Sequence, residues 1–208
     1  QYRVDKENSS YKKDSLRIKI CVTGIGCIAA AYALGKNVSA PRVDLAVQAG
    51  IAGAFSRNVP LGKVMRIESD ILADLGAEEK DWFIDLFDLG FLNGNDHPYI
   101  QKRLMAPLFE SNFLKNLPKA NAITVNTVSG QQTTIHHRIE KYHPDLESME
   151  GAAFHYVCLM EKVKFIQIRS VSNYVEIRDR SQWEIALAIK NLNDFLIQWI
   201  ENDTLLCQ

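Results

Sequence analysis

The chain has 208 residues, 47% of them apolar and 24% charged, with a formal net charge of −1. That is enough chain for one well-filled domain rather than two, in the balance of an ordinary globular protein. With no basic run beyond Lys12-Lys13 and no apolar run of membrane-spanning length, the expectation is no nucleic-acid partner, no membrane partner and a cytoplasmic location.

The chain opens on Gln1, and its first 15 residues are polar and charged, which reads as a lost or processed N-terminus. Apolar strand-like runs then alternate with helix-period segments. The order predicts an α/β fold: a single domain over residues 1–208, three-layer α/β/α, around a central mixed, mostly parallel sheet. Strands are expected at Leu16–Thr23, Leu45–Ala49, Val64–Ser69, Ala122–Val128 and Phe165–Val171. Four of them run into loops rich in Gly, Ser or Asn at their C-terminal ends, where open α/β sheets build ligand sites. Helices are expected at Cys27–Leu34, Met149–Glu161 and Gln182–Ile200. The last carries Ile185, Ile189, Leu192, Leu196 and Trp199 as a single apolar stripe, with Asp179 or Ser181 as its cap. Residues 81–118 mix periodicities with turn signals and read as a loop with one or two short helices. Cys21, Cys27, Cys158 and Cys207 have no CxxC spacing and read as reduced thiols.

Gly24-Ile25-Gly26-Cys27-Ile28-Ala29 matches a GxGxxA dinucleotide-binding turn, with an acid twenty residues on at Asp44. That acid precedes the next strand, whereas a ribose-binding acid ends it. The glycines therefore need be no more than a tight strand-to-helix turn.

Four stretches carry a wider pattern: TGIGCIAAAYALG at 23–35, QAGIAGAF at 48–55, NTVSGQQ at 126–132 with ESMEGAA at 147–153, and RSVSN at 169–173. Together they resemble the nucleoside phosphorylase and nucleosidase superfamily, from Leu16 to the C-terminus. Within it, ADLGAE at 73–78, ESMEGAA and SNYVEIRDRSQW at 172–183 look most like the futalosine hydrolases of menaquinone biosynthesis. The resemblance implies hydrolysis of the N-glycosidic bond of futalosine to release hypoxanthine, with no metal or organic cofactor. It also implies a small-molecule nucleoside substrate and a homo-oligomer.

On that resemblance Glu150 accepts from the ribose hydroxyls and favours an oxocarbenium-like cation, while Met149 packs on the sugar. A competing reading makes Glu150 a helix N-terminal acid complementing the helix dipole. Glu147 carries a solvated or structural role. Asn173 stands where nucleosidases acting on adenine compounds usually have Asp. An amide NH₂ donates to both N7 and O6, which suits a 6-oxopurine; the competing reading is a turn-closing Asn. Gln48 and Ile51 stand where phosphorylases of the superfamily place an Arg and a hydroxyl for phosphate, so water is the expected nucleophile. Gly50, Ile51, Ala52 and Gly53 then offer backbone groups to sugar and water. Gln131, Gln132 and Thr133 follow Ser129-Gly130 where relatives contact the base. His136-His137 reads as surface histidines rather than a metal pair. Arg178 and Arg180 either bind the aryl carboxylate of futalosine or pair with Asp179 and Glu184. Relatives open with a strand whose loop supplies the water-activating carboxylate. No such strand is expected before residue 11, which leaves Asp70 and Asp74 as substitutes or as structural acids.

Overall fold

The computed structural model describes residues 3–5, 10–13, 15–38, 43–80, 82–109 and 111–203. In chain order the elements are β1 (Arg3–Asp5), β2 (Ser10–Lys13), β3 (Leu16–Lys19), α1 (Cys27–Val38), β4 (Ala46–Ala54) and β5 (Val64–Asp70). There follow β6 (Gly76–Glu79), β7 (Trp82–Asp85), β8 (Leu104–Met105), β9 (Lys119–Thr124), α2 (Gln132–Tyr142) and β10 (Leu146–Ser148). The chain ends with α3 (Gly151–Met160), β11 (Phe165–Tyr174) and α4 (Ile185–Asn202).

The central sheet has the order β11-β4-β10-β9-β5-β8, and β11 also pairs with β5. The first five strands therefore close into a ring, with β8 hung on its outside. The sheet is mixed: β4–β11, β9–β10 and β5–β9 are parallel, while β4–β10, β5–β11 and β5–β8 are antiparallel. One core cluster draws on every ring strand, through Ala52, Ala54, Met65, Ile67, Ala120, Ala122, Leu146 and Val171. The alanines leave room for the ring to close at ordinary strand spacing. Helix α4 lays Leu192 and Trp199 on Ile166 and Ile168 of β11, and α3 lays Phe154 and Cys158 on Ala46 and Phe165. Helix α1 packs on α3.

Several expectations are corrected. Strand β3 stops at Lys19 rather than Thr23 and, with β1 and β2, belongs to a separate antiparallel sheet outside the ring. Strand β4 does not end at Ala49 but runs to Ala54, because β11 pairs with it along its length. Residues 82–85 form a hairpin with β6 rather than a helix, and the segment's helical content is the short turn Leu114–Asn116. Helix α2 and strand β10 were not foreseen. Asp179 caps the short turn Arg180–Gln182, not α4, which begins at Ile185. Cys207 lies outside the described residues; Cys21 is exposed, Cys27 half-buried and Cys158 buried, all free.

Candidate active site

The SMEGAA segment forms the junction between β10 and α3. Glu150 occupies the N-cap position of α3, yet its side chain does not cap that helix. The first turn is served by Thr124, whose hydroxyl accepts from Ala152 N at 2.7 Å. Glu150 instead turns outward. Gly26 N donates to its Oε1 at 3.1 Å, and Arg169 Nη1 stands 3.4 Å from its Oε2. The helix-dipole reading therefore does not account for the geometry, because a capping carboxylate would face the N–H groups of its own helix. The turn that mimicked a dinucleotide fingerprint is what delivers the Gly26 N–H. Gly24 and Gly26 have φ of 85° and 88°, a region open to glycine. Cys27 Sγ adds a contact to Met149 O at 3.4 Å.

Arg169 is the site residue that sequence reasoning missed. It lies mid-strand in β11, its side chain is 4% exposed, and Nη1 donates to Ile51 O at 3.3 Å while Nη2 donates to Gln48 Oε1 at 3.0 Å. Burial lowers its pKa, while Glu150 and Asp70 act to raise it. In register, Arg169 faces Gly50 of β4. A Cβ on Gly50 would stand inside contact distance of the guanidinium, so the glycine is what lets Arg169 lie flat across the strand. Gln48 is thus not far from positive charge, as its identity alone suggested. The cation comes from the neighbouring strand and is committed to Glu150, Gln48 and a backbone carbonyl, so it is not presented as a free phosphate clamp.

The small residues after Glu150 are packed from beneath. A Cβ on Gly151 would collide with Asp70 Oδ2 and Gln167 Nε2. Asp70 is fully buried; its Oδ1 accepts from Ile71 N and Thr124 Oγ1, each at 2.8 Å. Burial pushes its carboxyl up to about 6, against the opposing pull of Thr124 and Arg169. His155, also fully buried, donates from Nδ1 to Leu104 O at 2.9 Å, since a carbonyl can only accept. Desolvation lowers His155 to about 4. Asp70 is therefore sealed under the site and is not placed to activate water. Asp74 holds a loop: it accepts from Asn126 N, Asn126 Nδ2 and Thr127 N.

Glu147 is structural and buried rather than solvated. It accepts from Ser129 N at 2.8 Å, Ser129 Oγ at 2.6 Å and Arg138 Nη1 at 3.0 Å, fixing the 126–131 loop between β10 and α2. Gln132 and Thr133 open α2 and are exposed.

Gly53, Ser129, Glu147, Asn173, Arg178 and Trp183 line one cleft. Asn173 is in strand rather than turn, just past a register shift between Val171 and Asn173. Its Nδ2 donates to Tyr174 O at 3.0 Å, which engages one of its two N–H groups. Arg178 lies over Trp183, 5.5 Å from the ring centroid, and Arg180 lies 6.0 Å from it. Among the described residues neither makes an ion pair, while Asp179 is taken by Ser181. His136 pairs with Glu140 at 3.1 Å, and His137 stacks on Trp82. Among the described residues no three His, Cys, Asp or Glu side chains converge as metal ligands, and no helix is long and apolar enough to cross a membrane.

The phosphorylase superfamily model matches residues 10–201. The chain is 30% identical over 174 residues to the futalosine hydrolase of Thermus thermophilus, covering 82% of this chain and 75% of that one. It is 32% identical over 154 residues to that of Streptomyces coelicolor, covering 73% and 63%. The chain belongs to the phosphorylase superfamily and, within it, to the futalosine hydrolase family. Its fold is that of the methylthioadenosine/S-adenosylhomocysteine nucleosidase of Colwellia psychrerythraea, solved with adenine (TM-score 0.74, 20% identity, 92% of this chain and 81% of that one). The native futalosine hydrolase structure of Helicobacter pylori shares the fold as well (TM-score 0.71, 13% identity, 97% and 87%). As a member of the futalosine hydrolase family, the chain is a purine nucleosidase, a hydrolase acting on N-glycosidic bonds.

Proposed function

We propose that the chain hydrolyses futalosine, releasing hypoxanthine, as a step of menaquinone biosynthesis. The observation that carries this reading is the setting of Glu150, which faces away from its own helix, with Gly26 N–H on one oxygen and Arg169 on the other. A carboxylate fixed in this way accepts from both ribose hydroxyls without reorganising, and its charge favours the cation that develops as the bond to the base breaks. Met149 backs the sugar. Gly50, Ile51, Ala52 and Gly53 line the approach from β4. Asn173 meets the base with the N–H that Tyr174 O leaves unused, and the base departs as an anion stabilised by hydrogen bonds rather than by proton transfer. Gln132 and Thr133, at the start of α2, flank the base end. Arg178 borders the same cleft as Asn173, so its cation serves the base end unless the tail folds back over it. Because Arg169 is already engaged, water is the nucleophile in this reading.

The homo-oligomer expected from the resemblance is proposed to form through α1 and the turn before it, where Ile28 and Tyr32 of the helix and Ile25 of the turn are 86%, 70% and 80% exposed. Exposed apolar patches of this kind mark association surfaces. Sedimentation of Ile28→Glu against wild type tests it, a unchanged mass refuting the assignment.

Base release from futalosine, inosine and methylthioadenosine, each with and without phosphate, tests the reaction. Hypoxanthine released from futalosine alone, indifferent to phosphate, is the expected result. Phosphate-dependent release from inosine would overturn the proposal.

A further inference from the structure

We propose that Asp70 sets the charge balance of the site: its buried carboxylate answers Arg169 from beneath, so that Glu150 meets the sugar without its own charge being cancelled. This rests on the reading of Glu150 as the ribose carboxylate. Asp70 is a positioning residue in this account, since it reaches the sugar only through Arg169 and Glu150.

Three charged groups lie at successive depths. The side chains of Glu150 and Arg169 are 18% and 4% exposed, with Nη1 of the arginine 3.4 Å from Oε2 of the glutamate, and Asp70 is 0% exposed. Gly151 is what lets the deepest of them approach. A Cβ on that residue, the next after Glu150, would stand 2.1 Å from Asp70 Oδ2 and 2.3 Å from Gln167 Nε2. Oδ1 is held by Ile71 N and Thr124 Oγ1. The guanidinium is thus drawn by Glu150 on one side and by Asp70 on the other.

Glu150 and Arg169 by themselves make a neutral pair, and a neutral pair gives a developing cation little net stabilisation. With Asp70 ionised the group carries one net negative charge, in a buried setting where fields fall off slowly. The sugar lies against Glu150, whereas the base is met by Asn173, further along β11. The added charge therefore favours the sugar cation more than it opposes the departing base anion. The other ionisable groups around Asp70 are His155 of α3, Cys27 at the start of α1 and Arg103 just before β8. Desolvation holds His155 near 4 and pushes the Cys27 thiol up to about 11, and Arg103 stays cationic while donating to Ser69 Oγ at 2.7 Å. None of these three changes charge between pH 5 and pH 8. Asp70 does, because burial pushes its carboxyl up to about 6. It is ionised above that value, so turnover should be high on the alkaline side and fall as pH drops through 6.

The experiment measures kcat for base release from futalosine between pH 5 and pH 8 by wild type, Asp70→Asn and Gln167→Met, with thermal melts to confirm that each is folded. Asparagine copies the shape of the protonated acid. Asp70→Asn is therefore expected to run close to wild type at pH 5 and to fall behind it about tenfold at pH 8, the scale of one unit charge acting across the interior at an effective dielectric of about 20. Gln167→Met removes a hydrogen-bonding neighbour that favours the ionised carboxylate, so the acid limb should move to higher pH. A purely structural role for Asp70 would lower kcat by the same factor at every pH. Parallel profiles for wild type and Asp70→Asn would overturn the proposal, as would a wild-type profile without an acid limb. Wild type that releases no base from futalosine at any pH would remove the proposed reaction and this inference together.

Discussion

Asp70 and His155 should make opposite contributions to the pH dependence of stability, and each can be unmasked by deleting the other. Asp70 ionises at 3.8 in an ordinary setting and near 6 in the fold. Between those values the folded chain holds a proton that the unfolded chain has lost. The contribution of Asp70 is therefore complete below about pH 4 and is lost as pH rises through 6. His155 moves the other way, from 6.5 to about 4. The unfolded chain takes up a proton that the buried ring refuses, so this contribution is present above pH 6.5 and is lost as pH falls towards 4. At 1.36 kcal/mol per unit, each displacement of roughly two units is worth about 3 kcal/mol. The two slopes nearly cancel across pH 4–6, since folding in that window shifts a proton from histidine to aspartate. Urea denaturation at half-unit steps should show that Asp70→Asn gains about 3 kcal/mol relative to wild type between pH 4 and 6. His155→Asn, which keeps a donor for Leu104 O, should lose a similar amount over the same range. Gln167, fully buried, is a hydrogen-bonding neighbour of both groups. Curves for Asp70→Asn and wild type that run parallel would refute the reasoning.

Gly50→Ala should drive Arg169 off Glu150 and Gln48. Losing a charge-assisted contact of about 1.5–3 kcal/mol lowers kcat/KM by ten- to a hundredfold, read in a steady-state assay on a folded variant. Glu150→Gln should reduce turnover by well over tenfold while the melting curve stays near that of wild type; near-normal turnover would remove the ribose role. Glu147→Gln leaves Arg138, 10% exposed, without its counter-charge, and chemical denaturation should register a loss of about 3 kcal/mol.

The sequence showed α4 because its apolar residues recur at helical spacing. It hid α2 because the buried positions of that helix are Ile135, Arg138 and Tyr142: two of the three are polar-tipped side chains that bury their stems, and the periodic signal is correspondingly weak. The β6–β7 hairpin was illegible for a related reason, since every residue of β6 is exposed and no alternation marks a buried face. Gly50 and Gly53 suggested a loop because glycine weakens strands in isolation. What overrides that preference is the long ladder to β11 together with Arg169 and Asn173, which occupy the space the glycines leave. Glu150 and Asn173 were legible from motif. Arg169 was not, although a signal was present: FIQIRSVS is buried on both faces and still carries Gln167 and Arg169 two residues apart. Polar side chains at alternate positions of a buried strand are costly to desolvate, and so mark a network. The glycine of SMEGAA, Gly151, leaves room for close neighbours. Those neighbours are Asp70 and Gln167, which approach it from below.

The ring of strands has a consequence for how the chain is made. Sheet order departs from chain order: β4, beginning at Ala46, waits for β11, which starts at Phe165, and only then can β11 also reach β5. Contacts so distant along the chain are slow to form, because loop entropy is lost before any pairing is gained. During synthesis the edge of β4 emerges long before its parallel partner does, exposing unpaired backbone and apolar side chains. Its glycines work against premature pairing, since a strand weak by itself makes a poor template for a neighbouring nascent chain. The same Gly50 and Gly53 that admit Arg169 and Asn173 in the finished fold thus act as a brake on aggregation until β11 has been made.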